Sequence, residues 1–381
     1  MVRLTTTGLV PNIFEIRSEV KGTSWRAICS STWSIRESRL SLLMAWTAGR
    51  CTAFHKLISC SIVSCLKMLS CLSWNFDSFK ISASHMTYDA IIIGGSYAGL
   101  AAAMPLARAR RMVLVVDAGQ RRNRFADHSH GFLTRDGALA SDIAAIGRDQ
   151  LLAYGTVEWL EANAGDVSRT DEGFCVELGG MKARTAKRLI IATGVVDTLP
   201  AVPGLADRWG SAVFHCPYCH GYELDQGRIG VLGTSAMSVH TALLLPDWGT
   251  TTLFLNDSIT LDETQQAQLQ ARGVTVETTA VDRITGKADV VLRDGRTLVF
   301  DGLFTTTRTT VAGHTAKSVG CEFEDGPFGS TIKTNAMKAT TVQGVFACGD
   351  AARAGGSVPL AVGDGTMAGA AAHQSLVFGP L

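Results

Sequence analysis

Cys216 and Cys219 bracket Pro217 and Tyr218, and His220 and Gly221 follow at once. Thiols at this spacing close a disulfide with little movement of the backbone. At the start of a helix the first thiol is also acidified by the N–H groups and dipole of that turn. Pro217 suits the first helical turn, because its missing N–H falls where no partner is needed. The chemistry this points to is thiol–disulfide exchange, in which both cysteines serve as thiolates. A histidine at 220 titrates near neutrality and can move protons during that exchange. Two other readings of the pair stand beside this one. Zinc needs four ligands, no second Cys-x-x-Cys follows, and His215 and His220 are awkwardly placed to complete a tetrahedron. An inert structural disulfide is the other. His215 by itself reads equally as a packing or a catalytic residue.

A redox dithiol needs an electron relay, and a dinucleotide fingerprint upstream offers one. The apolar run Ala90–Ile93 reads as a strand covered on both faces. It enters Gly94-Gly95-Ser96-Tyr97-Ala98-Gly99 and then the helix-forming Leu100–Met104. Gly94 permits the tight turn, position 96 the approach of a pyrophosphate, and Gly99 close packing of helix on strand. Ser96 departs from the usual glycine but stays small. A second strand, Met112–Val116, ends in Asp117, where a carboxylate takes the ribose hydroxyls. Two further strands end in turns: Arg188–Ala192 before Thr193 and Gly194, and Gly344–Cys348 before Gly349 and Asp350. A small-residue helix over Gly363–Ala370 follows. Cys348 reads as a small core residue.

A second, degraded fingerprint follows the strand Arg228–Leu232. Only Gly233 survives of its glycines; Ser235 and Ser238 take the other two positions. After the next strand, Thr252–Leu255, comes Asn256-Asp257 with no arginine. A carboxylate at 257 repels a 2′-phosphate and favours NADH if a nicotinamide binds at all.

The whole chain of 381 residues carries a formal charge of +1, which argues against a nucleic-acid partner. Residues 1–85 differ from the rest: ten Lys/Arg against four Asp/Glu, five of the ten cysteines, four of the seven tryptophans and three of the 39 glycines. They show no sustained period of 2 or 3.6. Their most apolar run, Leu57–Leu66, is too short and polar for a membrane span. The compositional break predicts that the fold begins near Met86 and that the upstream stretch is an artefact of the gene model, a targeting segment or an added extension. Cysteine usage gives no disulfide framework, so a reducing, cytoplasmic setting is the expectation.

From residue 86 to 381 the motifs resemble the thioredoxin reductase-like flavoproteins of the pyridine nucleotide-disulfide oxidoreductases. The resemblance implies an α/β fold with two Rossmann-like domains, the second inserted into a discontinuous FAD domain. The expected boundaries are 86–199 and 316–381 for the FAD domain and 200–315 for the insertion. FAD is the implied cofactor, held by Gly94, Ser96, Gly99, Asp117, Asn123, Thr193, Gly194 and Gly349. Asp350 would hold its ribityl chain, and the helix N-terminus at Ala361 and Val362 would face its ring system. Cys219 would face the flavin and Cys216 would exchange with substrate, with His220 standing where ordinary thioredoxin reductases carry an acid. No metal is implied. Family members that use NADPH place arginines after the second strand of the insertion, and this sequence has none there, so NAD(P)H use is in doubt. With Thr134-Arg135-Asp136-Gly137, this is similar to the dithiol oxidase branch, which oxidises small-molecule dithiols with oxygen. The alternatives are an NAD(P)H-dependent reductase acting on a thioredoxin-like protein and a non-catalytic redox sensor. A homodimer without a membrane anchor is implied throughout.

Overall fold

In a computed structural model the chain divides into two units, Met1–Ile81 and Ser82–Leu381. The structure describes residues 87–379 and, upstream, the backbone of three short strands. Those strands, Arg3–Thr5, Ile13–Arg17 and Ile28–Ser30, form an antiparallel sheet of their own. The five upstream cysteines' side chains and the run Leu57–Leu66 lie outside the described residues, as does the expected start at Met86.

The larger unit begins with strand β1 (Thr87–Ile93), turn, helix α1 (Tyr97–Arg108) and strand β2 (Val113–Asp117). Alternation along β1 sends Ala90 and Ile92 to one face and Ile91 and Ile93 to the other. The first pair packs on Ala102, Ala103 and Leu106 of α1, the second on Leu114, Leu189 and Ile191. Both faces are therefore dry, which is why the run is continuously apolar. Helix α2 (Ala140–Leu152) leads to β3 (Val157–Glu161), and β4 (Ala164–Thr170), β5 (Gly173–Leu178) and β6 (Met181–Ile191) form an antiparallel meander. The sheet order is β3-β2-β1-β6-β5-β4. The end of β6, Leu189–Ile191, lies parallel to Ile91–Ile93 on one side and to Val345–Ala347 on the other. A strand from near the C-terminus thus completes the sheet begun at Thr87, and the flavin domain is discontinuous.

The chain leaves this half through β7 (Val195–Thr198) and returns through an antiparallel partner, Arg308–Val311. Between them lies the second Rossmann-like sheet, all parallel. It comprises β8 (Val213–Phe214), β9 (Gln226–Leu232), β10 (Gly249–Phe254), β11 (Thr275–Glu277) and β12 (Gly302–Thr305), in the order β8-β12-β9-β10-β11. Ile229, Val231 and Leu253 pack on Val239 and Ala242, while Leu232, Phe254 and Leu303 pack on Ile284, Val290 and Leu292.

Helices α3 (Pro217–His220), α4 (Ala236–Leu244) and α5 (Glu263–Ala271) lie in the inserted stretch, and the last helix, α6, runs from Val358 to Phe378. It starts five residues earlier than the small-residue run Gly363–Ala370 indicates, with Ser357 as N-cap and Pro359 in its first turn. Gly365 and Gly369 lie against the Ala98 and Ala102 carbonyls of α1, where any Cβ would collide with backbone. Asp364, buried in the same helix, is held by both branches of Arg353 and by Lys338 at 2.9–3.0 Å.

Candidate active site

The turn after β1 is built for close approach. Gly94 has φ +102°, and a side chain there would run into the Ala192 carbonyl. Asp117, at the end of β2, accepts the Gly95 N–H at 3.0 Å with one carboxylate oxygen. Asn123 donates to the Tyr97 hydroxyl at 3.0 Å, and that hydroxyl donates to the Ala140 carbonyl at 2.9 Å. The loop after β2 is thereby pinned to α1.

These elements surround a cavity of about 540 Å³. Gly94, Ser96, Asp117, Asn123, Thr193 and Gly194 all stand in its wall, joined by Asp350 and Ala361 from the C-terminal piece. Three expected contacts do not. Gly99 is turned to the Gly94 carbonyl and serves the packing of α1, Gly349 packs on Ala98, and Val362 packs against the core around α1. The Thr193 hydroxyl and Arg121 Nε are buried without a hydrogen-bond partner among the described residues, although both residues line the cavity. Buried polar atoms of this kind call for a polar occupant.

Cys216 and Cys219 form a disulfide with Cα atoms 5.3 Å apart. Cys219 and His220 are in the cavity wall; Cys216 is outside it, with Tyr218 exposed beside it. Pro217 occupies the first turn of α3 as expected, with Cys216 as N-cap. The helix is only four residues long, however, so its dipole is small and acidifies Cys216 far less than a full helix would. His220 is also not a group poised near neutrality. Burial first, and then the charge of His130, pull its pKa down to about 4, so it stands neutral and stacked on Phe214 at 4.4 Å. His215 is likewise pulled to about 4 by desolvation and by Arg122, and stacks on Trp209. A neutral imidazole is the form that accepts a proton. Cys348 is fully buried, and desolvation pushes its thiol up to about 12, as suits a core residue. Among the described residues no cluster of side chains could hold a metal ion.

The second turn is closed on itself. Ser238, on α4, accepts the Thr234 N–H at 3.0 Å and the Ser235 N–H at 3.4 Å. Beyond β10, Asp257 is not alone: Arg293, from a distant turn, donates to it at 3.1 Å. The sequence places no arginine after Leu255, but the fold brings one there and spends it on a carboxylate.

Residues 88–365 match the family of pyridine nucleotide-disulphide oxidoreductases. The chain belongs to that family. Within it, the protein is 31% identical over 304 residues to "Thioredoxin reductase tcpT" of Claviceps purpurea (strain 20.1), covering 76% of this chain and 94% of the relative. The solved oxidoreductase from Agrobacterium tumefaciens is 57% identical, with a TM-score of 0.75 over 77% of this chain and 99% of that one. The solved structure of HlmI is 36% identical, with a TM-score of 0.72 over 77% and 94%. This pyridine nucleotide-disulphide oxidoreductase is thus a thioredoxin reductase-like flavoenzyme with FAD as its cofactor. The residues present fit that group: a turn open to a pyrophosphate, carboxylates at 117 and 350, and orphaned polar atoms at 121 and 193. Among the described residues no helix is long and apolar enough to cross a membrane.

Several residues of the site carry no sequence signal. Arg122 donates through Nε and Nη2 to Asp197 at 2.8 and 2.6 Å and through Nη1 to Asp350 at 2.9 Å. His130, in the cavity wall, has Nδ1 at 3.2 Å from Glu223, three residues beyond His220, and at 3.8 Å from Asp136 of the Thr134–Gly137 turn.

Proposed function

We propose that the protein oxidises a small-molecule dithiol to its disulfide, passing two electrons through Cys216 and Cys219 to FAD and on to oxygen. The observation that carries this reading is the contrast between the two nucleotide turns. The first lines a cavity with Cys219 in its wall, while in the second the N–H groups of Thr234 and Ser235 are taken by Ser238. A helix N-terminus whose donors are already satisfied has little to offer a pyrophosphate.

In the proposed cycle a substrate thiolate attacks Sγ of Cys216, the bond to Cys219 breaks, and Cys219 leaves as a thiolate on the cavity wall. The attacking thiol loses its proton to solvent, because His220, held neutral with a pKa of about 4, is too weak a base to take it at neutral pH. The second substrate thiol then attacks the substrate sulfur bound to Cys216, closing the product disulfide and releasing Cys216. When bound, FAD supplies a two-electron acceptor that oxygen can reoxidise, with hydrogen peroxide as the second product. The balance is one dithiol and one oxygen to one disulfide and one peroxide.

The same reading sets the flavin domain at 86–199 and 316–381 and the insertion at 200–315, in a cytoplasmic homodimer. Cys175, Cys321 and Cys348, all unpaired among the described residues, fit a reducing compartment. A second reading, an NAD(P)H-dependent reductase of a thioredoxin-like protein, draws on the relatives named as thioredoxin reductases and on Arg293 beside Asp257. Anaerobic titration with NADPH, NADH and dithiothreitol, followed by the flavin spectrum, separates the two. Bleaching by the dithiol and not by the nicotinamides supports the oxidase; rapid bleaching by NADPH supports the reductase.

A further inference from the structure

The segment bearing the dithiol joins the flavin half through only two crossings, β7 and its partner Arg308–Val311, with Asp197 opposite Thr309. This ribbon is one side of a four-stranded sheet completed by Gly329–Ile332 and Phe323–Gly326, so the crossings are themselves held to the last flavin piece. Side chains at the points where the chain leaves that sheet, near Asp197 and Thr307, set the angle of the segment beyond. Asp197 is the most heavily bridged residue of the ribbon. Its carboxylate accepts both donors of the Arg122 fork and, at 2.7 Å, the hydroxyl of Thr307, the residue just before the returning strand. The third contact of Arg122 is Asp350. One guanidinium therefore ties the first flavin piece, both crossings and the last flavin piece together.

The charge state supports a tight clamp. Burial opposes the positive charge on Arg122, but hydrogen bonding and attraction from Asp197, then Asp350, outweigh it and raise its pKa. The same guanidinium overcomes the desolvation of Asp197 and holds its carboxyl below the usual range. Bidentate pairing also fixes direction as well as distance. Arg122, Asp197, His215 and Cys219 stand in the wall of one cavity, so the clamp and the dithiol face the same space.

We propose that Arg122 is a positioning residue: through Asp197 it locks the dithiol-bearing segment at the angle that keeps Cys219 in the flavin cavity wall. Through Asp350 the lock is coupled to the cofactor, so that seating FAD tightens it. This goes beyond the oxidase reading and depends only on the FAD site, not on the substrate or the electron acceptor.

The test compares FAD-loaded wild type with Asp197→Asn, Arg122→Gln and Arg122→Lys. Hydrogen–deuterium exchange of amides in 195–198 and 308–311 should rise about tenfold in Asp197→Asn, the size expected when a charge-assisted bond is lost. FAD should dissociate faster from Arg122→Gln, and Arg122→Lys, able to meet one carboxylate but not both in register, should fall between it and wild type. In a Cys216→Ser background the long-wavelength thiolate–flavin band should weaken in Asp197→Asn although FAD remains bound. Should Arg122→Gln fail to fold, the isosteric Asp197→Asn decides alone. Unchanged ribbon exchange together with an unchanged band in Asp197→Asn would overturn the proposal. Exchange and FAD release do not depend on any substrate, so failure of the oxidase reading leaves them untouched.

Discussion

Ser238 Oγ lies 3.0 Å from the Thr234 backbone nitrogen, and so fills the turn that in the first Rossmann-like domain stays open. In that first turn, among the described residues, the one side-chain hydrogen bond to the backbone is Asp117 on Gly95, and Ser96 makes no cap of its own. The two turns share a shape and differ in which donors remain free.

NADPH is therefore expected to reduce the flavin slowly or not at all. A small dithiol should reduce it quickly, and oxygen should restore the yellow form. Stopped-flow spectra under anaerobic conditions measure both; fast stoichiometric bleaching by NADPH contradicts the expectation.

The two cysteines should separate by spectrum. Cys216→Ser leaves Cys219, the thiol in the cavity wall, and should give a broad long-wavelength band with oxidised flavin. Cys219→Ser leaves the thiol outside the wall and should lack the band. Turnover should fall to near background in both. A band in Cys219→Ser alone reverses the assignment.

Asp350→Ala should lower flavin occupancy by about 1.5–3 kcal/mol of binding, the range for a hydrogen bond to a charged group. It also leaves Arg122 with Asp197 alone. Equilibrium FAD affinity, read by fluorescence, checks this, and full occupancy in the variant counts against it.

Stability should fall as pH drops from neutrality towards 4. His220 is held neutral in the fold down to about 4, whereas in the unfolded chain it protonates near the ordinary value of about 6.5. The unfolded state thus binds the extra proton in that window. The stabilisation is complete above it and is lost through it at about 1.4 kcal/mol per pH unit. His215 shifts in the same direction, while Asp197 adds its loss only at lower pH. Melting temperatures at pH 7 and pH 5 should differ in wild type and differ less in His220→Gln. Equal slopes in the two proteins would remove His220 as the cause.

A chain beginning at Met86 should fold and keep full activity, because the first strand of the nucleotide site begins at Thr87 and the upstream sequence has no sustained period of 2 or 3.6. Solubility and specific activity beside the full chain check it. An insoluble short chain with a soluble full one places residues 1–85 in the fold.

What was legible in the sequence was what is local. Strand, turn, helix, strand and Asp117 follow each other within some thirty residues, and Cys216 and Cys219 share one turn. Arg122 was not legible: it sits in the run Arg121–Arg124 with nothing to single it out, and its partners lie 75 and 228 positions away. Arg293 reaches Asp257 in the same non-local way. Ser238 could be read only as a lost glycine, since its second role as an acceptor depends on the geometry of the turn. The start of α6 did carry a local signal, Ser357 with Pro359 two residues on, masked by the glycines further along.

The glycine contact between α1 and α6 also sets an order of assembly. Ala98 and Ala102 are among the first parts of the flavin half to be synthesised, and Gly365 and Gly369 among the last. The stretch between the two crossings has its own two cores and can collapse while the C-terminal helix is still inside the ribosome. The flavin cradle is then the final part of the enzyme to be finished, and a nascent chain carries its dithiol before it has anywhere to send the electrons.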